Sequence, residues 1–195
     1  MRILLINANQ EKMPEPVFPI GLSYIAAALK EKGHLCQGID LTLHAPQECI
    51  PRTIVEFRPE AIGISIRNVD NTAYPITVSY LPFYRKVMAL VRASSPGVPV
   101  VLGGSGFSLF PDEFMDELGA DYGIIGEGER AFCDLLAMLE TSSSPKKLYG
   151  PTLPYLSMDE VRASRELFDV KTQFSQGGSL NIQTKRGCPF HCSYC

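Results

Sequence analysis

Three cysteines stand on one short stretch of this chain, within the run Lys185-Arg186-Gly187-Cys188-Pro189-Phe190-His191-Cys192-Ser193-Tyr194-Cys195. Thiols spaced C-x3-C-x2-C on one loop can turn toward a single centre. A centre that takes three protein thiolates and keeps one position free is a [4Fe-4S] cluster. A disulfide framework does not suit an odd set of three in a chain of intracellular composition. Zinc stays open as a second reading, with His191 as a fourth ligand, although a side chain adjacent to Cys192 diverges from the three sulfurs. Cys36, Cys49 and Cys133 have no metal-ligand spacing and read as small buried hydrophobes.

The remainder of the 195 residues must position that loop. The length is enough for one sizeable core and an appendage. With 45% hydrophobic residues and a net charge of -3, the chain offers no electrostatic case for nucleic acid. No apolar run approaches the ~20 residues of a membrane span. The opening Met1-Arg2-Ile3-Leu4-Leu5-Ile6-Asn7 is too short for a signal peptide, so a cytoplasmic protein is expected.

Strand and helix patterns alternate. Residues 2–7, 61–66 and 98–102 are continuous apolar runs, the mark of strands buried on both faces. Residues 34–41 and 122–125 supply two more strands. Helices are expected at 20–32, ending at Gly33, and at 47–57, 81–93, 111–118 and 129–140. The fourth of these opens on Pro111 with acids behind it, as helix starts prefer. Five strands each followed by a helix predict a five-stranded parallel sheet with helices on both faces, in the flavodoxin-like (Rossmann-type) order 2-1-3-4-5. Residues 1–140 would form that α/β domain and residues 141–178 a linker or wrapping segment with a short helix near 158–165. Residues 179–195 would be the first strand and the cysteine loop of a second domain.

In a parallel sheet the ligand sits outside the carboxyl ends of the strands. The loops there are residues 8–18, 67–77, 103–108 and 126–128. Gly103-Gly104-Ser105-Gly106 and Gly126-Glu127-Gly128 allow close backbone approach, because glycine removes the Cβ obstacle. A dinucleotide fold would need G-x-G-x-x-G after the first strand, and that loop has no glycine. A receiver-type domain would need paired acids there, where only Asn7 and Asn9 stand. The long connection at 69–84 holds Tyr74, Tyr80, Phe83 and Tyr84, which suggests a wall for a ligand. Inward packing of Tyr80 and Tyr84 is the alternative, with Tyr74 the functional member.

The Cys188, Cys192, Cys195 spacing, preceded by residues 179–185 and Arg186-Gly187 and with Tyr194 before the last cysteine, resembles the cluster loop of radical S-adenosylmethionine enzymes. That resemblance implies a [4Fe-4S] cluster whose fourth iron position takes S-adenosylmethionine and cleaves it to a 5'-deoxyadenosyl radical. An α/β domain before such a loop is similar to the cobalamin-dependent branch of that superfamily. The segments carrying the likeness are residues 63–68, 101–106 and 126–129. By resemblance, Ser65, Gly103, Gly104 and Ser105 line the nucleotide tail of cobalamin, with Gly126, Glu127 and Gly128 beside it. Asn68, Gly106 and Tyr74 complete the candidate cofactor contacts.

Relatives with an Asp-x-His-x-x-Gly loop after strand one ligate cobalt through its histidine. Residues 8–18 contain none, and His34 and His44 read as surface or turn residues. The cobalamin is therefore expected base-off and without a histidine ligand. Arg67 would then sit at the lower cobalt face, occupying space without ligating, because a guanidinium has donors and no lone pair to give. A salt bridge to Asp70 or a loop carbonyl is the competing role.

The resemblance implies a methyltransferase that methylates unactivated carbon through methylcobalamin and the deoxyadenosyl radical. Its substrate would be a small molecule or peptide, and its reductant a flavodoxin or ferredoxin. Cyclisation or rearrangement is the alternative chemistry, and a cobalamin- or partner-binding module without catalysis the alternative class. The chain is expected to be a fragment, inactive alone, lacking the barrel that follows such a loop.

Overall fold

The structure, a computed structural model, describes residues 1–141, 145–150, 157, 160 and 162–186. Strand β1 (Arg2–Asn7) lies second from one edge of a six-stranded parallel sheet. The other strands are β2 (Leu35–Asp40), β3 (Ala61–Ser65), β4 (Val100–Gly103), β5 (Tyr122–Ile124) and β6 (Leu148–Tyr149), in the order β2-β1-β3-β4-β5-β6. The expected order 2-1-3-4-5 is present, and the expected count of five is corrected to six. Strand β6 exists because Leu148 and Tyr149 pair with Gly123 and Ile124.

Helices α1 (Ile20–Glu31), α2 (Pro46–Phe57), α3 (Leu81–Ser94), α4 (Pro111–Leu118) and α5 (Glu129–Glu140) cover both faces. The alternation of β1 decides which side each residue serves. Leu4 and Ile6 join Ile50, Ile54, Val87 and Val91 in one core. Ile3 and Leu5 join Leu22, Leu29, Phe132 and Leu135 in the other. Full burial of such side chains contributes about 1.5–3 kcal/mol each. Helix α1 stops in a Schellman arrangement, with the His34 N–H donating to the Leu29 carbonyl (3.0 Å) and Gly33 at φ 83°.

The segment after β6 packs back onto this domain. The short helix α6 (Val170–Ser175) is capped by Asp169, whose Oδ1 accepts the Thr172 N–H at 3.0 Å. The helix expected near 158–165 lies largely outside the described residues. The expected strand at 179–185 is not formed. Only Ser179 makes a bridge, to Val17, and residues 180–186 run without a ladder. Alternation of side chains becomes a strand only where a neighbouring strand lies alongside, and none does among the described residues.

At the end of β2, Asp40 is buried, its Oδ1 accepting from Asn7 Nδ2 (2.8 Å) and the Thr42 N–H (3.0 Å), while Oδ2 has no partner among the described residues. Burial raises its pKa, and the Asn7 and Thr42 hydrogen bonds only partly offset that. A carboxyl whose folded pKa lies above its unfolded value favours the fold below the unfolded pKa and loses that contribution as pH rises through the folded one. Asp40→Asn keeps the Oδ1 acceptor and cannot ionise. Its melting temperature should match the parent near pH 4 and exceed it by a few degrees at pH 7; an offset independent of pH would contradict this reading.

Candidate functional site

Strands β1, β3 and β4 end level with one another, Asn7 opposite Ser65 and Ser65 opposite Gly103. Beyond this row the loop backbones are knitted together. The Ile66 N–H donates to the Gly103 carbonyl (2.8 Å) and the Gly106 N–H to the Ile66 carbonyl (3.0 Å). That approach requires glycine at 104: φ is 103°, and a Cβ there would stand 2.5 Å from the Ile66 carbonyl oxygen. Side chains complete the knitting. Ser105 Oγ donates to the Arg67 carbonyl (3.0 Å). Ser108 Oγ donates to the Gly104 carbonyl (2.9 Å) and accepts the Gly126 N–H (2.9 Å), joining the β4 and β5 loops.

Inside this rim a cavity of about 720 Å³ runs between the sheet and helices α1 and α5. Leu5, Gly63, Val101 and Ile124 line it from the sheet, and Tyr24, Ile25 and Phe132 from the helices. Such an apolar concavity with polar groups at its mouth is the usual form of a cofactor site. Of the residues expected from sequence, Ser65, Arg67, Gly103, Gly104, Ser105, Gly126, Glu127 and Gly128 line it. Asn68, Gly106 and Tyr74 stand outside its walls. The Asn68 carbonyl accepts from the Tyr84 hydroxyl at 2.5 Å, Gly106 packs on the Arg67 backbone, and Tyr74 is 98% exposed. Tyr80 and Tyr84 are buried, as the inward-packing alternative held.

Arg67 is exposed, and its guanidinium has no hydrogen bond or ion pair among the described residues. The expected competitor, Asp70, instead accepts the Thr72 N–H at 2.7 Å. Ser65 Oγ likewise has no hydrogen-bond partner among the described residues. The loop after β1 is fastened by the Tyr80 hydroxyl donating to the Glu11 carboxylate. That bond holds Glu11 below the usual carboxylate range, while burial first and Glu11 second push Tyr80 up to about 12. His34 pairs with the amino terminus at the opposite edge of the sheet, and His44 is exposed after β2. Neither lines the cavity.

Cys188, Cys192 and Cys195 lie outside the described residues. Among the described residues no group of three His, Cys, Asp or Glu side chains is placed to hold a metal ion. No described helix is long and apolar enough to cross a membrane.

Sequence reasoning placed Ser108 at the end of a ligand-edge loop without foreseeing that it joins the β4 and β5 loops, and it missed a fourth wall made by Asn181, Gln183, Lys185 and Arg186. Arg186 Nη1 lies 3.3 Å from the Glu127 carboxylate, and Nη2 donates to Glu129. Burial opposes its charge, but Glu129 and Glu127 outweigh that and raise its pKa. A cation 57 residues from its partner carries no local pattern.

Comparison with known proteins bears on the same region. The B12 binding domain family model matches residues 7–136. The chain is 32% identical over 154 residues to the tryptophan 2-C-methyltransferase of Streptomyces laurentii, an alignment covering 77% of this chain and 25% of that protein. The structure of the radical S-adenosylmethionine methyltransferase TsrM from Kitasatospora setae, with cobalamin and a [4Fe-4S] cluster bound, superposes with a TM-score of 0.68 at 28% identity. That match covers 73% of this chain and 25% of the other. OxsB, a cobalamin-dependent S-adenosylmethionine radical enzyme with aqua-cobalamin and S-adenosylmethionine bound, shares the fold across 100% of this chain and 28% of its own. Its TM-score is 0.76 at 19% identity. The chain thus spans about a quarter of the length of each of these relatives.

Proposed function

The chain belongs to the B12-binding domain family, and from that premise we propose that the cavity between the sheet and helices α1 and α5 seats the nucleotide tail of a base-off cobalamin whose corrin lies over the carboxyl edge. The observation that carries this is the cavity itself, lined mostly by residues of the matched segment and opening at the row Asn7, Ser65 and Gly103. The walls suit such a guest. Gly63 leaves open a place where a Cβ would press on Leu5 and Phe132 at 2.9 Å, and Gly128 one where it would meet Ile25 at 2.8 Å. The Ser65 hydroxyl and the Arg67 guanidinium stand at the mouth with no partner among the described residues.

Bound there, cobalamin would supply methyl-transfer chemistry. The chain's own contribution is to hold the tail in an apolar slot, to bring the backbone of the β4 and β5 loops close to it, and to offer no histidine from the loop after β1. Arg67 has five N–H donors and no acceptor, so it fills the rim without becoming a ligand. For the whole protein the reading is methylation of carbon on a small molecule or peptide. Cys188, Cys192 and Cys195 would be the thiolate donors to a [4Fe-4S] cluster that leaves one iron position for S-adenosylmethionine, with a flavodoxin or ferredoxin as reductant. The tryptophan 2-C-methyltransferase of Streptomyces laurentii supports methylation, while the anaerobic magnesium-protoporphyrin IX monomethyl ester cyclase of Synechocystis, 30% identical across the whole chain, keeps cyclisation as the second reading.

Titration of the chain with hydroxocobalamin tests the binding reading. A saturable absorbance change to the base-off form is expected, and no binding at tens of micromolar would leave a partner-docking module instead. Arg67→Ala should weaken that binding by about tenfold while leaving the melting temperature unchanged, because the side chain is exposed and has no described protein partner to lose. A fall in stability matching the fall in affinity would return Arg67 to a structural role.

A further inference from the structure

Asn181, Gln183, Lys185 and Arg186 form the outer wall at the mouth of the cavity. The Asn181 end is fastened by its carbonyl accepting from Arg165 Nη2 (2.8 Å) and its amide donating to the Phe18 carbonyl (3.2 Å), and the other end by Arg186. Arg186 Nη1 stands 3.3 Å from Glu127, Nη2 donates to Glu129, and the guanidinium carbon lies 5.1 Å from the centre of the Tyr24 ring. Both members of the inner pair are largely withdrawn from water, the Arg186 and Glu129 side chains being 13% and 7% exposed. A paired charge at that depth is retained only while its partner stays, since either one alone would be left buried and uncompensated. The geometry calls for arginine: a planar fork can meet two carboxylates and still stack on an aromatic face, which the point charge of lysine cannot do.

The partners come from three places in the sequence. Tyr24 is in α1, Glu127 is in the glycine loop after β5, and Glu129 opens α5, where the helix N-terminus favours an acid. Two positions beyond Arg186 is Cys188. We propose that Arg186 is a positioning residue that latches the carboxyl end of residues 181–186 across the cavity, so that its guanidinium closes the cofactor slot and fixes where the chain enters the cysteine run. The proposal rests on the cobalamin reading for the identity of the guest but not for the latch itself.

A latched wall opens rarely, so its loss is read in two ways. Hydroxocobalamin should leave Arg186→Ala about ten times faster than the parent, with Arg186→Lys between them. Trypsin cleavage after Lys185, in protein without cofactor, should accelerate about tenfold in Glu127→Gln/Glu129→Gln, because cleavage follows the population of the open wall. The double variant should also match Arg186→Ala in cofactor release, and combining all three changes should add nothing further, as expected of residues acting as one unit. Unchanged cleavage after Lys185 in the double variant, or additive effects on release in the triple, would overturn the latch. Failure of the parent to bind hydroxocobalamin would instead defeat the cobalamin reading, and the cleavage rates would still decide the latch.

Discussion

Replacing Gly104 by valine is expected to lower the melting temperature by about 5–10 °C and to abolish cobalamin binding. The residue is held at φ 103°, a conformation that L side chains rarely adopt, and its missing Cβ is opposed by the Ile66 carbonyl oxygen at 2.5 Å and by Ser65 Oγ at 2.9 Å. The first of these is backbone, tied by hydrogen bonds to Gly103 and Gly106, and cannot swing aside. The strain is on the order of 2–3 kcal/mol, and relieving it means pulling the β3 and β4 loops apart. Those loops form the cavity mouth, so stability and binding should fall together. Thermal unfolding checks the first, and a melting temperature within about 2 °C of the parent would show that the loops tolerate a side chain there.

Gly128→Leu should separate the two effects. Its φ of -101° suits any residue, and the nearest obstacle to a Cβ is the Cδ1 tip of Ile25 at 2.8 Å, the far end of a flexible side chain. The cost to the fold is that of an unfavourable residue before the first turn of α5, about 1 kcal/mol or less. The added side chain would occupy the slot between Ile25 and Ile124, and hydroxocobalamin affinity is expected to fall by about 30-fold or more with the melting temperature within about 3 °C of the parent. Retained affinity would mean that the guest does not enter the slot at this point.

What the sequence made legible follows from burial. The five strands through β5 carry apolar runs or alternation long enough to read, and helices α1 to α5 carry periodic apolar faces, so their order and the edge where their loops gather could be reasoned out. Strand β6 could not, because Leu148–Tyr149 is too short for any period and exists only through its pairing with β5. Helix α6 had a signal that was passed over, Asp169 three residues before Thr172, the spacing of an N-cap. Residues 179–185 gave a misleading signal, since alternation says nothing about whether a partner strand is at hand. The glycine loops were found because glycine at a strand end has few purposes. The wall at 181–186 and the Arg186 pairings were invisible, because no local pattern links a cation to carboxylates nearly sixty positions away. Arg67 was singled out by asking what stands where a histidine is missing, and it lines the cavity with no partner for its guanidinium among the described residues.

The slot, rather than the rim, is the centre of this account, and its most direct test compares cobalamin with cobinamide, which has the same corrin and no nucleotide tail. Binding of each to the parent chain and to Gly128→Leu would be followed by absorbance. If the tail occupies the cavity, the parent should hold cobalamin at least about tenfold more tightly than cobinamide, and that preference should disappear in Gly128→Leu. Equal affinities of the parent for the two corrinoids would contradict the assignment of the cavity to the tail.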